Sequence, residues 1–576
     1  MRVCSRILPA LALTAVVLAL PAAASAHAYL VKTFPAASVV VNTPPPDVAL
    51  TFDEAVEPRF AIISVTDVNA RQETTGAVHR SAADPNTIVV PLRHVPEGWY
   101  LVVWRAISVD GHPVEGAFTF AVGPNPGPAP QFTIPHVSAT ATTPQLLVAR
   151  WAVFLAAMSA IGLFVLRVLI ARPLVERVTG TSLRAVSTAF VIAASLGLVA
   201  IPVYLDFATA NDSLRSVFDV GALVPLFRTT AFGRGYLDME ICFVLFVAAA
   251  LIAIWVDRPE RGRRSVAALL STSGALAAAA AVLVIPGVSG HAGQTAPQGL
   301  SVLLDWLHLV AGSVWIGGLV GLLVLWRALP PGRRIAGLAT AVPRFSNVAF
   351  FSVFVLLGSG IWASVLHMPV LAALWQTNYG KVILIKAGLL ATAMGLAAVN
   401  LLRNKPHLAA AGAQAGPGEP AARLLRRLVG GEAVVVAGAV FAAAVLSSLP
   451  PPPPSFALEG SALARVGPGP ISTVVARAGY SLEVRIGPNH AVAPNDFAVK
   501  LTRNGRVVTG ASVTISFNML DMQMPTQEYQ LAEVSPGVYS RSTSALVMVG
   551  HWGLGINVTP KGGTPFSALV VDHATG

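Results

Sequence analysis

The chain has 576 residues, of which 54% are hydrophobic and only 12% are charged, a composition that predicts several domains and excludes an ordinary soluble protein. The formal net charge is +11, but the basic residues occur in short clusters between long apolar runs. This distribution is typical of membrane topology and argues against nucleic-acid binding. Cys4 lies in a segment that we expect to be removed and Cys242 lies in an apolar run, so no disulfide framework is expected.

The first 26 residues have the pattern of a secretory signal peptide. Arg2 and Arg6 precede an apolar stretch at 7–20, and Ala24-Ser25-Ala26 forms a small-residue cleavage site. The alternative is an uncleaved anchor, but the apolar stretch is short for a span of about 20 residues. We expect cleavage after Ala26, which leaves His27 as the first residue of the mature chain.

Residues 27–123 contain no long apolar run and are predicted to form a small domain of β-strands. Short pieces that alternate apolar and polar residues occur at 48–52, 61–65, 87–90, 99–104 and 117–122. Short strands at regular spacing, with turn residues between them, predict an Ig-like all-β sandwich. The Pro-, Thr- and Ala-rich residues 124–144 are predicted to be a linker.

Residues 145–449 carry eight apolar stretches, each long enough to cross a hydrocarbon core of about 30 Å as a helix. The stretches lie at 146–169, 185–205, 237–256, 266–285, 302–326, 345–366, 379–402 and 428–449. We therefore expect an α domain of eight transmembrane helices in the lipid bilayer.

Basic residues are concentrated in every second connection between these stretches, at 172–184, 258–264, 327–334 and 403–427, and the longer loop around Arg215 is the exception. Because positively charged loops stay in the cytoplasm, this pattern places both chain ends outside a plasma or inner membrane.

Residues 450–469 begin with a proline run and are predicted to be a stiff linker. Alternating short strands with Gly and Pro turns return at 470–576, which predicts a second small all-β domain outside the membrane.

A histidine at the start of a mature chain offers a metal ion two nitrogens, its α-amine and its ring nitrogen. The amine has a reference pKa of about 8 and loses its proton when a metal competes for it. In Asp110-Gly111-His112, a spacing of two on a strand puts both side chains on one face. Two imidazoles, an amine and a carboxylate form a nitrogen-rich set that suits Cu(II). A lone Asp-Gly-His segment is often only a turn, so the prediction depends on its combination with His27.

Segments of this domain resemble the CopC family of periplasmic copper-binding proteins: 27–29 (HAY), 52–54 (FDE), 104–106 (WRA) and 108–116 (SVDGHPVEG). The resemblance implies that His27, Asp110 and His112 bind Cu(II), and that Glu54 orients a ligand histidine. The domain contains no methionine, so the Met-rich Cu(I) site of some family members is not expected. The other histidines are expected at the surface: His79 and His94.

Residues 146–449 resemble the CopD family, which often follows a CopC domain. The resemblance is carried by 289–292 (SGHA), 305–319 (DWLHLVAGSVWIGGL), 345–346 (FS) and 379–400. It implies a role in copper uptake or copper resistance.

Polar side chains near the outer ends of the predicted helices mark a candidate copper path, because ionisable groups in spans are costly. The candidates are His291, Asp305, His308, His367 and Met368. Our hypothesis is that the three histidines form an outward-facing entry site fed by the β-domain.

Other residues of these spans have candidate roles beside that path. Lys386 is a candidate ion partner of Asp305, and Met239, Cys242 and Met368 would suit Cu(I). The small Gly312 and Ser313 would permit close helix approach, with Trp315 on the His308 stripe. Two alternatives stay open: His308 is a core histidine bonded to Asp305, or paired histidines bind haem.

Residues 470–563 resemble the YtkA-like domains, on segments at 497–501, 517–525, 537–539 and 550–552. Met522 and Met524 share a face if that segment is extended, and thioethers favour Cu(I). With His551 they form a second copper candidate, and the alternative is a module that only packs or docks.

Together these features predict copper handling without catalysis, with a copper chaperone or reductase as a candidate partner. No P-loop motif occurs in the sequence, so we expect transport to draw on gradients. The alternatives are a membrane haem, redox or copper-sensing protein and, on the basis of an N-terminal histidine, a copper monooxygenase.

Overall fold

The computed structural model describes residues 28, 30–37, 39–107, 113–127, 130, 143–213, 218, 221, 223–229, 231–257, 264–295, 297–404, 406–407, 419–449, 451–452, 454–520, 526–547 and 549–575. The chain divides into two compact units, one of long helices and one that contains both groups of β-strands.

The N-terminal strands form a sandwich, as the alternating pattern predicts. One four-stranded sheet has the order β1-β3-β6-β5 and the other β2-β8-β7-β4. The strands are β1 (Leu30–Phe34), β2 (Val40–Val41), β3 (Asp47–Phe52), β4 (Ile62–Asp67), β5 (His79–Arg80), β6 (Thr87–Pro91), β7 (Gly98–Ile107) and β8 (Pro113–Val122). Inward residues such as Val48, Leu50 and Val102 are fully buried between the sheets.

The described part of the membrane region contains eight helices that are long and apolar enough to cross a membrane. They are α1 (Pro144–Leu166), α2 (Arg184–Ser213), α3 (Ala231–Val256), α4 (Val266–Ser289), α5 (Gln298–Ala328), α6 (Arg334–His367), α7 (Asn378–Val399) and α8 (Glu419–Leu446). Short helices lie at Leu223–Thr229 and Ala373–Gln376. The eight predicted stretches are therefore confirmed, and the protein is a multi-pass membrane protein.

Glycines allow α1 and α5 to pack closely. A Cβ on Gly162 would overlap the carbonyl oxygen of Ser313, and a Cβ on Gly317 would overlap the backbone of Gly162. A Cβ on Gly312 would lie 2.7 Å from the terminal methyl of Met158. The expected close approach around Gly312 and Ser313 is therefore confirmed, because these small residues let the two backbones meet.

The C-terminal strands form a second β-domain. They are β9 (Ala464–Val466), β10 (Ile471–Arg477), β11 (Tyr480–Gly487), β12 (Asn495–Arg503), β13 (Arg506–Val507), β14 (Ser512–Met519), β15 (Gln527–Ser535), β16 (Val538–Thr543), β17 (Gly550–Thr559) and β18 (Phe566–Ala574). They follow the order β10-β11-β12-β16-β15-β14-β17-β18-β9, and β13 pairs with β12. The core holds large side chains such as Phe497, Phe517 and Trp552.

The two β-domains contact each other, which the sequence did not suggest. Leu101 of β7 and Ala117 of β8 belong to the buried cluster of the C-terminal domain. The hydroxyl of Thr119 donates a hydrogen bond of 3.1 Å to the carbonyl of Val492. The outer face of the β7–β8 hairpin is thus covered by the second domain.

Candidate metal centres

The three residues predicted to bind Cu(II), His27, Asp110 and His112, lie outside the described residues, but the backbone on either side of them is described. Ala28, which follows His27, is only 2% exposed. The segment 108–112 connects β7 to β8. Ile107 and Pro113, the residues on either side of this segment, are paired with each other. His27 therefore precedes a buried residue, and Asp110 and His112 lie between the paired ends of β7 and β8.

These two anchor points belong to one hydrophobic cluster. Ala28 lies in it with Phe52 at the end of β3, Ala106 of β7 and Val114 of β8. Glu54 follows β3 and is half-buried. Leu30, two residues after Ala28, pairs with Phe52, whose ring centroid lies 5.5 Å from that of Trp104 on β7. The start of β1 and the start of the FDE segment therefore lie beside β7, three residues before its end at Ile107. The remaining histidines of the domain are exposed, as expected: His79 and His94.

In the membrane domain, three helices place a chain of hydrogen bonds around His308 of α5. Lys386 Nζ on α7 lies 3.3 Å from His308 Nε2, and His308 Nδ1 lies 3.2 Å from Ser359 Oγ on α6. The Ser359 hydroxyl donates to the carbonyl of Val355 at 2.7 Å, so it accepts from His308. The ring is therefore protonated on Nδ1, and its Nε2 lone pair accepts from the Lys386 ammonium.

Asp305 lies one turn before His308 on α5 and completes this polar group. Its carboxylate interacts electrostatically with Lys386 and Tyr379. It also packs against α4, where a Cβ on Gly287 would lie 2.9 Å from its Oδ2. Asp305 and Lys386 form no ion pair of 4.0 Å or less among the described side chains, so their predicted partnership stays a prediction. The ring nitrogens of His308 bond to Ser359 and Lys386 rather than to Asp305.

His367 ends α6 and has different neighbours. Its Nδ1 donates to the carbonyl of Ala363 at 2.8 Å, and its Nε2 lies 3.2 Å from the hydroxyl of Thr295. The carbonyl can only accept, so Nδ1 is protonated and Nε2 carries the lone pair that a metal would use. Met368 follows at the helix end and is half-buried.

The described side chains contain no group of three or more His, Cys, Asp or Glu that could hold a metal ion. The backbone of His291 begins a 3₁₀ turn, His291–Gln294, after α4, but its side chain lies outside the described residues. The three-histidine entry site therefore stays a prediction. The soft candidates lie on α3, where Met239 is buried and Cys242 is half-buried with a free thiol.

In the C-terminal domain, Met522 and Met524 lie outside the described residues. His551 is exposed on β17. Its imidazole stacks on that of His573, with ring centroids 4.7 Å apart and an angle of 17° between the planes. The sequence interpretation missed His573, because its pairing with His551 follows from the register of β17 with β18.

Two buried polar groups of the membrane helices were also missed. Glu432 of α8 is 3% exposed and accepts a hydrogen bond of 2.8 Å from the indole of Trp315. Asp257, after α3, bonds to Arg167 at 3.0 Å and Arg172 at 2.9 Å, and all three are buried. A single carboxylate within an apolar run was the available signal for Glu432.

Comparisons with known proteins agree with this three-part organisation. Family models match in order along the chain: a CopC domain at residues 30–123, copper resistance protein D at 339–446 and a YtkA-like domain at 477–557. The second match covers most of α6 and all of α7 and α8, and the segment around Asp305 and His308 precedes it.

Individual relatives extend this picture. The copper transport protein CutJ of Bacillus subtilis (strain 168) is 28% identical over 389 residues, which are 66% of this chain and 69% of CutJ. Protein YobA of Escherichia coli (strain K12) is 36% identical over 98 residues, 17% of this chain and 79% of YobA. The crystal structure of CopC from Methylosinus trichosporium OB3b matches at 31% identity and a TM-score of 0.16, covering 18% of this chain and all of that one. The chain belongs to the CopC/CopD family of copper proteins, with a YtkA-like domain at its C-terminal end.

Proposed function

We propose that the protein captures Cu(II) outside the membrane through His27, Asp110 and His112, and passes copper to the membrane helices for uptake into the cell. The observation that carries this proposal is the contact of the chain start with β7: β1 pairs with Phe52, and the Phe52 ring centroid lies 5.5 Å from that of Trp104, near the β7–β8 end. We expect the buried Ala28 and the paired residues Ile107 and Pro113 to reduce the ordering that copper binding requires, which favours affinity.

The donor set supports Cu(II) as the captured ion. An amine, two imidazoles and a carboxylate are the nitrogen-rich ligands that Cu(II) prefers, and Glu54, which follows β3, is the candidate that orients a ligand histidine. The absence of methionine from 27–123 removes the thioethers that Cu(I) would need. Cu(I) sites would then lie in the membrane helices or at Met522 and Met524.

The polar group of α5, α6 and α7 supports copper passage through the membrane domain. Asp305, His308 and Lys386 are half-buried between helices, where ionisable side chains are costly unless they serve a pathway or a pair. An inside-negative potential favours the entry of a cation by about 2.3 kcal/mol per charge and 100 mV. Uptake therefore needs no nucleotide hydrolysis.

The proposed topology puts the capture site on the source side of that gradient. Residues 1–26 act as a signal peptide, 27–123 and 470–576 lie outside, and 145–449 cross the membrane between the linkers 124–144 and 450–469. The clustering of basic residues in alternate connections supports this orientation.

Copper accumulation tests the proposal. Cells that lack the gene are complemented with the wild type, His112→Ala or His94→Gln, the last as a histidine change at an exposed position of the same domain. We expect the wild type and His94→Gln to raise cellular copper several-fold over His112→Ala at limiting external copper. Higher copper in cells without the gene would contradict uptake and indicate resistance by exclusion.

A further inference from the structure

The C-terminal β-domain carries a pair of histidines that the proposed capture site does not use. His551 and His573 are direct cross-strand partners in the antiparallel pairing of β17 with β18. Directly opposite residues have Cβ atoms about 4.5–5.5 Å apart, so the two side chains leave the sheet side by side. Their stacked rings, 4.7 Å between centroids, agree with that placement.

Both imidazoles lie on the outer face of the sheet. Successive residues of a strand point to opposite faces, and the residues next to these histidines in the sequence point into the core: Trp552 is 1% exposed, and Asp572 and Ala574 are fully buried. His551 is exposed and His573 is half-exposed. A metal ion can therefore reach the pair from solvent without any change in the core.

The strands that carry the pair are held on both sides. β17 pairs with β14 as well as β18, and β18 pairs with β9. The amide of Leu520 also donates to the carbonyl of His551 at 2.8 Å. Side chains on paired strands keep their spacing better than side chains on loops, so the two rings are preorganised relative to each other.

We infer that His551 and His573 form a solvent-accessible two-histidine Cu(II) site on the C-terminal domain. Metal–imidazole bonds of about 2.0–2.1 Å place two nitrogens on one ion about 3–4 Å apart, which small ring rotations from the stacked pair supply. Among divalent first-row ions, imidazole nitrogens bind copper most tightly. Two protein ligands leave open positions, which suits an ion that is exchanged rather than stored.

The test uses the full chain purified in detergent, with His27→Ala and His112→Ala so that the proposed capture site cannot contribute. Cu(II) is titrated against a competing chelator, and bound copper and nitrogen hyperfine splitting in electron paramagnetic resonance are measured. We expect His551→Gln and His573→Gln each to weaken one Cu(II) equivalent at least about tenfold. The double variant should lose that equivalent, and His94→Gln should retain it.

The inference is overturned if the double variant keeps the same Cu(II) affinity and nitrogen hyperfine pattern, or if the starting chain binds no copper at all. Both histidines are accessible at the surface, so thermal unfolding of the variants should match that of the starting chain. The result does not depend on the proposed uptake function, because the capture site is absent throughout.

Discussion

The histidines of the membrane helices and those of the C-terminal β-sheet are held in opposite ways. In α5, both ring nitrogens of His308 are engaged, one by Ser359 and the other by Lys386. On β17 and β18, His551 and His573 contact each other through their ring faces and lie at the surface. The comparison separates a histidine whose two ring nitrogens bond to protein side chains from histidines whose rings are accessible to solvent.

The difference follows from the surroundings. A polar ring between apolar helices has little water to bond to, so the fold must supply its donors and acceptors. A ring on a solvated sheet has water for that purpose. Copper that reaches Nε2 of His308 must therefore displace the Lys386 ammonium, whereas copper can reach the exposed ring of His551 directly from solvent.

The largest effect should come from opening the packing of α1 against α5, the helix that carries His308. We expect Gly162→Leu to destabilise the membrane domain by about 3 kcal/mol, because the new side chain overlaps the Ser313 carbonyl. Size-exclusion profiles and thermal scans in detergent measure the loss. The matched control is Gly274→Leu on α4, where an added Cβ meets nothing within 4 Å. Equal stability of the two variants would show that α1 and α5 do not pack closely.

The next largest effect should come from a buried carboxyl of the C-terminal β-domain, Asp572, which precedes His573 on β18. Burial raises the pKa of Asp572 from 3.8 to about 6. The folded state thus binds this proton more tightly than the unfolded chain, and stability is lost as the pH rises from about 4 to about 6. We expect Asp572→Asn to raise stability by about 2 kcal/mol at pH 7.

Thermal scans of the full chain at several pH values check this expectation. The amide oxygen of the new Asn can still accept the 3.0 Å hydrogen bond from Asn489. The advantage of the variant should shrink to near zero at pH 4. A constant advantage across the pH range would contradict the assigned cause.

Removing Lys386 should free the Nε2 nitrogen of His308 to bind a metal ion. We expect Lys386→Met with Asp305→Asn, which leaves no unpaired charge, to raise Cu(II) affinity at His308 about tenfold, or about 1.4 kcal/mol. Titration in the chain without His27, His112, His551 and His573 measures it. The control is Lys381→Met, an exposed lysine on the same helix. Unchanged affinity would mean that Lys386 does not occupy the metal-binding nitrogen.

The smallest effect should come from Ser359, which fixes the tautomer of His308. We expect Ser359→Ala to cost about 1 kcal/mol through the lost hydrogen bond. Nitrogen NMR of labelled histidine should report a change in the proton position on the ring. Ser364→Ala on the same helix removes a hydroxyl that bonds only within the helix, to Gly360 at 2.8 Å, and should leave that signal in place.

The sequence predicted the sandwich and the eight spans well, because strand alternation and apolar runs are local signals. It placed the sixth span at 345–366, whereas α6 begins at Arg334 and continues through Pro343. Basic residues and a proline in the first turns of α6 are typical of a loop, so hydropathy did not assign them to the helix. The first span likewise continues through Arg167–Ala171 to Arg177, where Asp257 pairs with the buried Arg167 and Arg172.

The candidate membrane site was only partly predictable. The sequence singled out His308, Asp305 and Lys386 because each is a costly residue within a span. It could not show that Ser359 and Lys386 contact opposite edges of one ring, since that depends on how three helices align. The pairing of His551 with His573 could not be predicted either, because the register between two strands cannot be read from the sequence of either strand alone.

The most direct test of capture at the chain start is Cu(II) binding by the purified full chain, with its first residue determined by mass spectrometry. The account predicts a mature chain that starts at His27 and binds one Cu(II) tightly. That equivalent should disappear in His112→Ala and in Asp110→Ala, while His79→Gln retains it. Undiminished Cu(II) binding in a chain that lacks both His27 and His112, with His551 and His573 also replaced, would contradict it.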